Sequence, residues 1–174
     1  MYTLQLQRIL RYHLKSVFYE VCAEDELPNI SLRPLAIIVN TDPSNLPGTN
    51  WTCIYLFNNG MGELFDSFGR KPDTPVIRYL DRQAPVGWVY NKRRLQGLLS
   101  TICGAYCLQY LEIRNRDRRS MMKTTVNRIF PYEDSRENDR LVHQRLRSHY
   151  GLYIPLNDID FIDISLQKSI KHPK

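Results

Sequence analysis

A chain of 174 residues that is 43% hydrophobic and 24% charged has the apolar content for one buried core and lies outside disordered compositions. No apolar run reaches the roughly 18 residues of a membrane helix, and no secretory h-region opens the sequence, so an intracellular protein, nuclear or cytoplasmic, is expected. A formal net charge of +6 favours acidic or polyanionic partners. Cys22, Cys53, Cys103 and Cys107 fit no paired-CxxC spacing, so neither a metal site nor a disulfide framework is expected.

Residues 3–22 place Leu6, Ile9, Leu10, His13, Leu14, Val17, Phe18 and Val21 at helical spacing, which predicts one amphipathic helix with His13 on its packed stripe. Glu24, Asp25, Glu26, Leu27 and Pro28 end it. Pro34 to Val39 is a nearly continuous apolar run, as expected of a strand buried on both faces. A turn-rich stretch over 40–50 leads to a second strand, Trp51 to Phe57. Asn58-Asn59-Gly60 then joins it to a third, Glu63 to Phe68, as a β-hairpin.

Val76 to Gln83 reads as a short helix and Trp88 to Tyr90 as a strand. A buried helix begins at Cys103 and runs to Arg114. Ser120 to Ile129 and Ser135 to Tyr150 complete the helices, the last with an acidic first turn, a basic last turn and Gly151 as its stop. Part of the tail after Leu152 carries apolar residues (Ile159 to Leu166) and is expected to pack. The single domain is therefore drawn at 1–167, with 168–174 as a frayed tail. The fold class expected is α+β, a mixed sheet packed by helices.

The chemically suggestive stretch is Gln96 to Gly104. Gln96 stands seven residues before Cys103, and Gly104 and an apolar run follow at once. A thiol at a helix N-terminus meets the positive end of the macrodipole, which favours thiolate. An upstream amide suits a developing oxyanion. Hairpin geometry allows positions 50 and 66 to meet, which brings a carboxylate, Asp66, into the same neighbourhood.

Four ordered blocks sharpen this picture. Asn40-Thr41-Asp42-Pro43, Pro47-Gly48-Thr49-Asn50-Trp51, Phe65-Asp66-Ser67-Phe68-Gly69 and Gln96 with Cys103-Gly104 together resemble the adenovirus endopeptidase (adenain) family of cysteine proteases. The likeness is strongest to the adenain-like proteases of Maverick/Polinton transposons and related viruses. The SUMO-specific proteases are more distantly similar. It runs from about Asp25 to Leu111. The resemblance implies Cys103 as nucleophile, Gln96 and the Cys103 backbone N–H as oxyanion donors, and Asp66 as the carboxylate that orients the catalytic histidine. It also implies Trp51 and Gly104 as neighbours of the bound peptide. The implied reaction is endoproteolysis of viral or transposon structural precursors by a monomer, virion-associated if viral, with no metal or other cofactor.

One position departs from the family. Where histidine precedes tryptophan, this chain has Asn50, whose amide can bond to Asp66 but cannot take a proton from a thiol at neutral pH. Losing one member of such a triad typically costs about 10⁴ to 10⁶ in turnover. The expectation is a strongly impaired endopeptidase. The alternatives are an inactive pseudoprotease kept as a peptide- or nucleic-acid-binding module, or a deubiquitinase- or deSUMOylase-like peptidase. Rescue by His13, His143, His149 or His172 is not expected, because none lies in a matched motif. Basic clusters at Lys92, Arg93, Arg94 and at Arg114, Arg116, Arg118, Arg119 suit solvated surface better than phosphate binding. The resemblance adds DNA as a candidate partner there, since the adenovirus enzyme uses DNA and a short viral peptide as activators.

Overall fold

The computed structural model describes residues 3–14 and 16–152. Five strands form one mixed sheet in sequence order: β1 (Phe18–Ala23), β2 (Leu35–Asn40), β3 (Trp51–Leu56), β4 (Met61–Phe65) and β5 (Gly87–Tyr90). β1 runs parallel to β2, β2, β3 and β4 alternate antiparallel, and β5 returns parallel to β4. The helices are α1 (Thr3–His13), α2 (Thr74–Gln83), α3 (Cys103–Arg116), α4 (Met122–Ile129) and α5 (Ser135–Tyr150), with a 3₁₀ turn at Glu24–Glu26. The α+β class and the mixed sheet are as the sequence led one to expect.

Both faces of the sheet are covered, which explains the unbroken apolar run of β2. Ala36 and Ile38 face the larger core with α1, α3, α4 and α5, while Leu35, Ile37 and Val39 face the smaller core under α2. β3 divides the same way, with Cys53 and Tyr55 on one side and Ile54 and Leu56 on the other. α3 is buried almost all round from Cys103 to Glu112, as a helix without a polar face must be. Phe65 stacks on Tyr110 at 4.4 Å and on Phe130 at 5.7 Å between ring centroids, which ties the sheet to α3 and to the end of α4.

Three expectations change. The helix drawn over 3–22 stops at His13, and Phe18–Ala23 is strand β1. Val17, Tyr19 and Val21 pack on the large core while Cys22 packs on the opposite one, a period of two that the helical reading had absorbed. Pairing with β2 decided between the two periods. The third strand ends at Phe65, because Asp66–Gly69 forms a turn closed by Gly69 N–H donating to the Asp66 carbonyl at 2.9 Å. Arg114, counted among surface charges, is fully buried. The expected packing after Leu152 and the frayed end lie outside the described residues.

Buried Arg114 is explained by its surroundings. Its Nε lies 2.8 Å from Glu63 Oε2 on β4, and its Nη1 donates to the carbonyls of Asp117 and Ser120 at 2.9 and 2.8 Å, bracing the turn after α3. Tyr110 donates its hydroxyl to the same Glu63 oxygen at 2.5 Å. Burial raises the Glu63 pKa above the usual carboxylate value, an effect that Tyr110 and Arg114 only partly offset. Removing one partner of such a pair strands the other charge in the core. Glu63→Ala should therefore destabilise the fold by about 3–5 kcal/mol, measured as a lower midpoint in urea.

Candidate active site

The site gathers at one end of the sheet, where β2, β4 and β5 finish, β3 begins and α3 starts. Asp66 follows β4 directly, and its carboxylate accepts from the backbone N–H of Phe68 at 3.1 Å and of Arg70 at 2.9 Å. Asn50 Nδ2 reaches Asp66 Oδ1 at 3.4 Å. Continued one step beyond the Cys53–Phe65 pair, the β3–β4 register puts Thr52 opposite Asp66 and Asn50 diagonal to it on the same face. Asn50 Oδ1 is buried and finds no hydrogen-bond partner among the described residues. The Asn50 carbonyl accepts from Thr41 N–H at 3.0 Å, which pins the backbone before β3.

Cys103 meets the next residue along. The N–H of Trp51 donates to Cys103 Sγ at 3.3 Å, and one helical turn later Cys107 Sγ donates to the Trp51 carbonyl at 3.4 Å. The backbone of one residue, Trp51, is thus held between two thiols of α3. Asn50, Asp66 and Cys103 are brought together around the start of β3. A cavity of about 200 Å³ opens beside Asn50 and Asp66, lined also by Thr41, Thr52, Arg70 and Asp73 among others.

Gln96 sits on the loop that leads to Cys103 and is fully buried. Its Oε1 accepts from the Ser67 hydroxyl at 2.6 Å, and its Nε2 donates to the Ser100 carbonyl at 2.7 Å. The amide is oriented by its own loop. Trp51 is half-buried against the large core, and Gly104 lies buried in the first turn of α3.

The sequence reading missed the residues that hold the loop in place. Asn91, at the end of β5, accepts from the Asp66 N–H and donates to the Asp66 carbonyl, both at 2.8 Å. The Ser67 carbonyl accepts from the N–H of Leu95 at 2.8 Å and of Gln96 at 3.1 Å. A Cβ on Gly69 would lie 2.7 Å from the Arg93 carbonyl carbon, and its φ of +69° also favours glycine. Asp139 on α5 accepts from Gly97 N–H at 3.0 Å and from the Tyr106 hydroxyl at 2.8 Å. Only Gly69 carried a sequence signal for this; Asn91, Ser67 and Asp139 have none without the tertiary contacts.

Electrostatics reverse one expectation. The helix N-terminus was expected to favour thiolate at Cys103, but burial pushes its thiol up to about 11, with the Cys107 thiol adding to the rise. The N–H groups of Trp51 and Gly104 act in the opposite direction and do not prevail. Asn50, a neutral amide, brings no positive charge to offset the burial. His13 and His149 cluster instead on Glu112, nine residues along α3 from Cys103 and so about 13 Å away by helical rise. His143 lines a surface groove of α5 with Arg140 and Arg147, and His172 lies outside the described residues.

The basic clusters are partly consumed internally. Arg93 donates to Asn127 Oδ1 and the Tyr132 carbonyl, Arg116 pairs with Glu112, and Arg118 bonds to Asn115. Lys92, Arg94 and Arg119 remain exposed. Among the described residues no helix is long and apolar enough to cross a membrane.

The five-stranded mixed sheet with α3 buried against it is a fold of the ubiquitin-like-protease type. Among solved structures, it is similar to that of the ASFV pS273R protease, with a TM-score of 0.60, 21% sequence identity and 88% of this chain covered. This chain spans 65% of the length of that one. No protein-family model matches the sequence, and no curated protein does.

The raised thiol has a direct consequence. Alkylation of Cys103 by iodoacetamide, followed by mass spectrometry of its peptide, should climb about tenfold per pH unit from pH 7 to 10, because thiolate is the reactive form. A rate that levels off below pH 8 would show that burial does not govern this thiol.

Proposed function

We propose that this chain is an adenain-like cysteine peptidase by descent, built to hydrolyse peptide bonds in viral or transposon structural proteins, whose turnover is crippled at Asn50. Residues 1–167 form its single peptidase domain. The observation that supports the reading is the contact of Asn50 with Asp66 one residue from the Trp51–Cys103 contact, and on this reading position 50 is that of the general base.

Each residue then has a defined role. Cys103 is the nucleophile, and its sulfur would attack the scissile carbonyl carbon to form a thioester. Its own N–H and the Gln96 amide are the donors for the oxyanion, the latter after releasing the Ser100 carbonyl. Asp66, held by two backbone N–H groups, is the carboxylate that would fix an imidazole at position 50. With asparagine there, nothing takes the thiol proton and nothing returns it to the departing amine. A thiol pushed up to about 11 leaves roughly one Cys103 in 10⁴ as thiolate at pH 7. Leu98 and Leu99, exposed on the loop leading to Cys103, supply an apolar ledge for an extended peptide. Peptide binding thus survives where peptide cleavage does not.

Asn50→His should restore both missing steps. Labelling of Cys103 at pH 7 by a vinyl-sulfone probe should rise about 10²- to 10³-fold, as expected when an imidazolium stabilises the thiolate. Cleavage of a denatured-proteome peptide library, read by mass spectrometry, should appear in Asn50→His and vanish in the Asn50→His, Cys103→Ala double variant. Equal cleavage by the parent chain would reveal another base. A folded Asn50→His variant with no gain in either readout would overturn the assignment of position 50.

A further inference from the structure

At the opposite end of α3 from Cys103, three elements bring nitrogen and oxygen ligands to one point. His13 ends α1, Glu112 lies in the third turn of α3, and His149 lies in the last turn of α5. His13 Nδ1 stands 3.7 Å and His149 Nε2 3.0 Å from the same oxygen, Glu112 Oε1. The three ligand atoms all lie within 4.8 Å of one another. We propose that His13, Glu112 and His149 form a zinc site that ties α1 and α5 to the central helix.

The carboxylate is over-supplied with donors in the metal-free arrangement. Glu112 Oε1 faces both imidazoles and also Arg116 Nη2 at 2.5 Å, more groups than its in-plane lone pairs can serve. A zinc ion resolves the crowding, because it binds the lone pairs of two neutral imidazoles and the carboxylate oxygen together. Zinc takes these ligands at about 2.0–2.2 Å, which sets tetrahedral ligand pairs about 3.3 Å apart. The observed separations close to that with movements of about an ångström or less. Two histidines and one glutamate are a ligand set that zinc accepts while keeping a fourth position open. Glu112 and His149 line a cavity of about 420 Å³, from which water can complete the tetrahedron.

The surroundings have the features of a built site. Glu112 is 5% exposed although charged, and its second oxygen accepts from the Tyr150 hydroxyl at 2.5 Å, the outer-shell contact that orients a ligating carboxylate. His13 packs edge-on against Tyr150 at 4.8 Å, which limits its ring. Arg116 is the competitor, and its exposed side chain can swing into solvent as the metal enters. Arg128, on the same cavity wall, is already paired with Asp117, and Arg145 donates to the Ile129 carbonyl.

The test uses the untagged full chain carrying Cys103→Ser, which removes the thiol as a rival ligand. After equilibrium dialysis against micromolar zinc chloride, elemental analysis should find one zinc per chain, and zinc should raise the melting temperature. His13→Ala and His149→Ala, each in that background, should lose the metal and the thermal shift. Tyr150→Phe should weaken binding by about 10-fold or more through the lost outer-shell contact. Arg116→Ala should strengthen it. Circular dichroism checks that each variant is folded. No retained zinc in the Cys103→Ser chain, or the same zinc content with both histidines removed, overturns the proposal.

Discussion

The arrangement of this molecule depends on the backbone of one residue. The N–H of Trp51 donates to Cys103 and its carbonyl accepts from Cys107, so the first residue of β3 is held between two thiols a helical turn apart on α3. Thiols are weak hydrogen-bonding groups, and the strength of the contact comes from the packing around it. Cys53, Ala105, Tyr106 and Cys107 are all fully buried, which lets the helix backbone approach the sheet closely. That approach fixes where α3 starts. Because Asn50 is the preceding residue, it also fixes the side chain at position 50 beside Asp66.

The same burial that builds the site sets its reactivity. A helix N-terminus stabilises thiolate only if the sulfur keeps enough solvation or a positive partner, and Cys103 is 6% exposed. Desolvation therefore outweighs the helix dipole. Asp66 keeps its two backbone N–H partners whatever the state of that thiol.

α3 carries both ends of the functional argument. Its N-terminus presents Cys103, its middle carries Tyr110 and Arg114 into the ion pair with Glu63, and Glu112 projects toward α1 and α5. A helix buried on every side must bring its own partners for each polar residue, and each of these finds them on a different neighbouring element. The helix is consequently the common support of the sheet, the terminal helices and the site loop.

Much of this was legible in the chain itself. Hydrophobic period and turn residues located β2, the β3–β4 hairpin, α2, β5, α3, α4 and α5, since each is a local pattern that one face or two of a sheet must satisfy. The order Asn50, Asp66, Gln96, Cys103 and the absence of an imidazole at position 50 were equally readable, because residue identity is what sequence states outright. Residues 18–23 were not, since their apolar positions fit a period of two or of 3.6 and only pairing with β2 chose between them. Arg114 looked like surface because its partner, Glu63, lies far away in sequence and its burial is a long-range fact. The Asn91 clamp, the Asp139 support and the meeting of His13, Glu112 and His149 were likewise decided by tertiary structure. So was the state of the Cys103 thiol: the sequence supplied a helix start, and only the packed fold supplied the desolvation that overrules it.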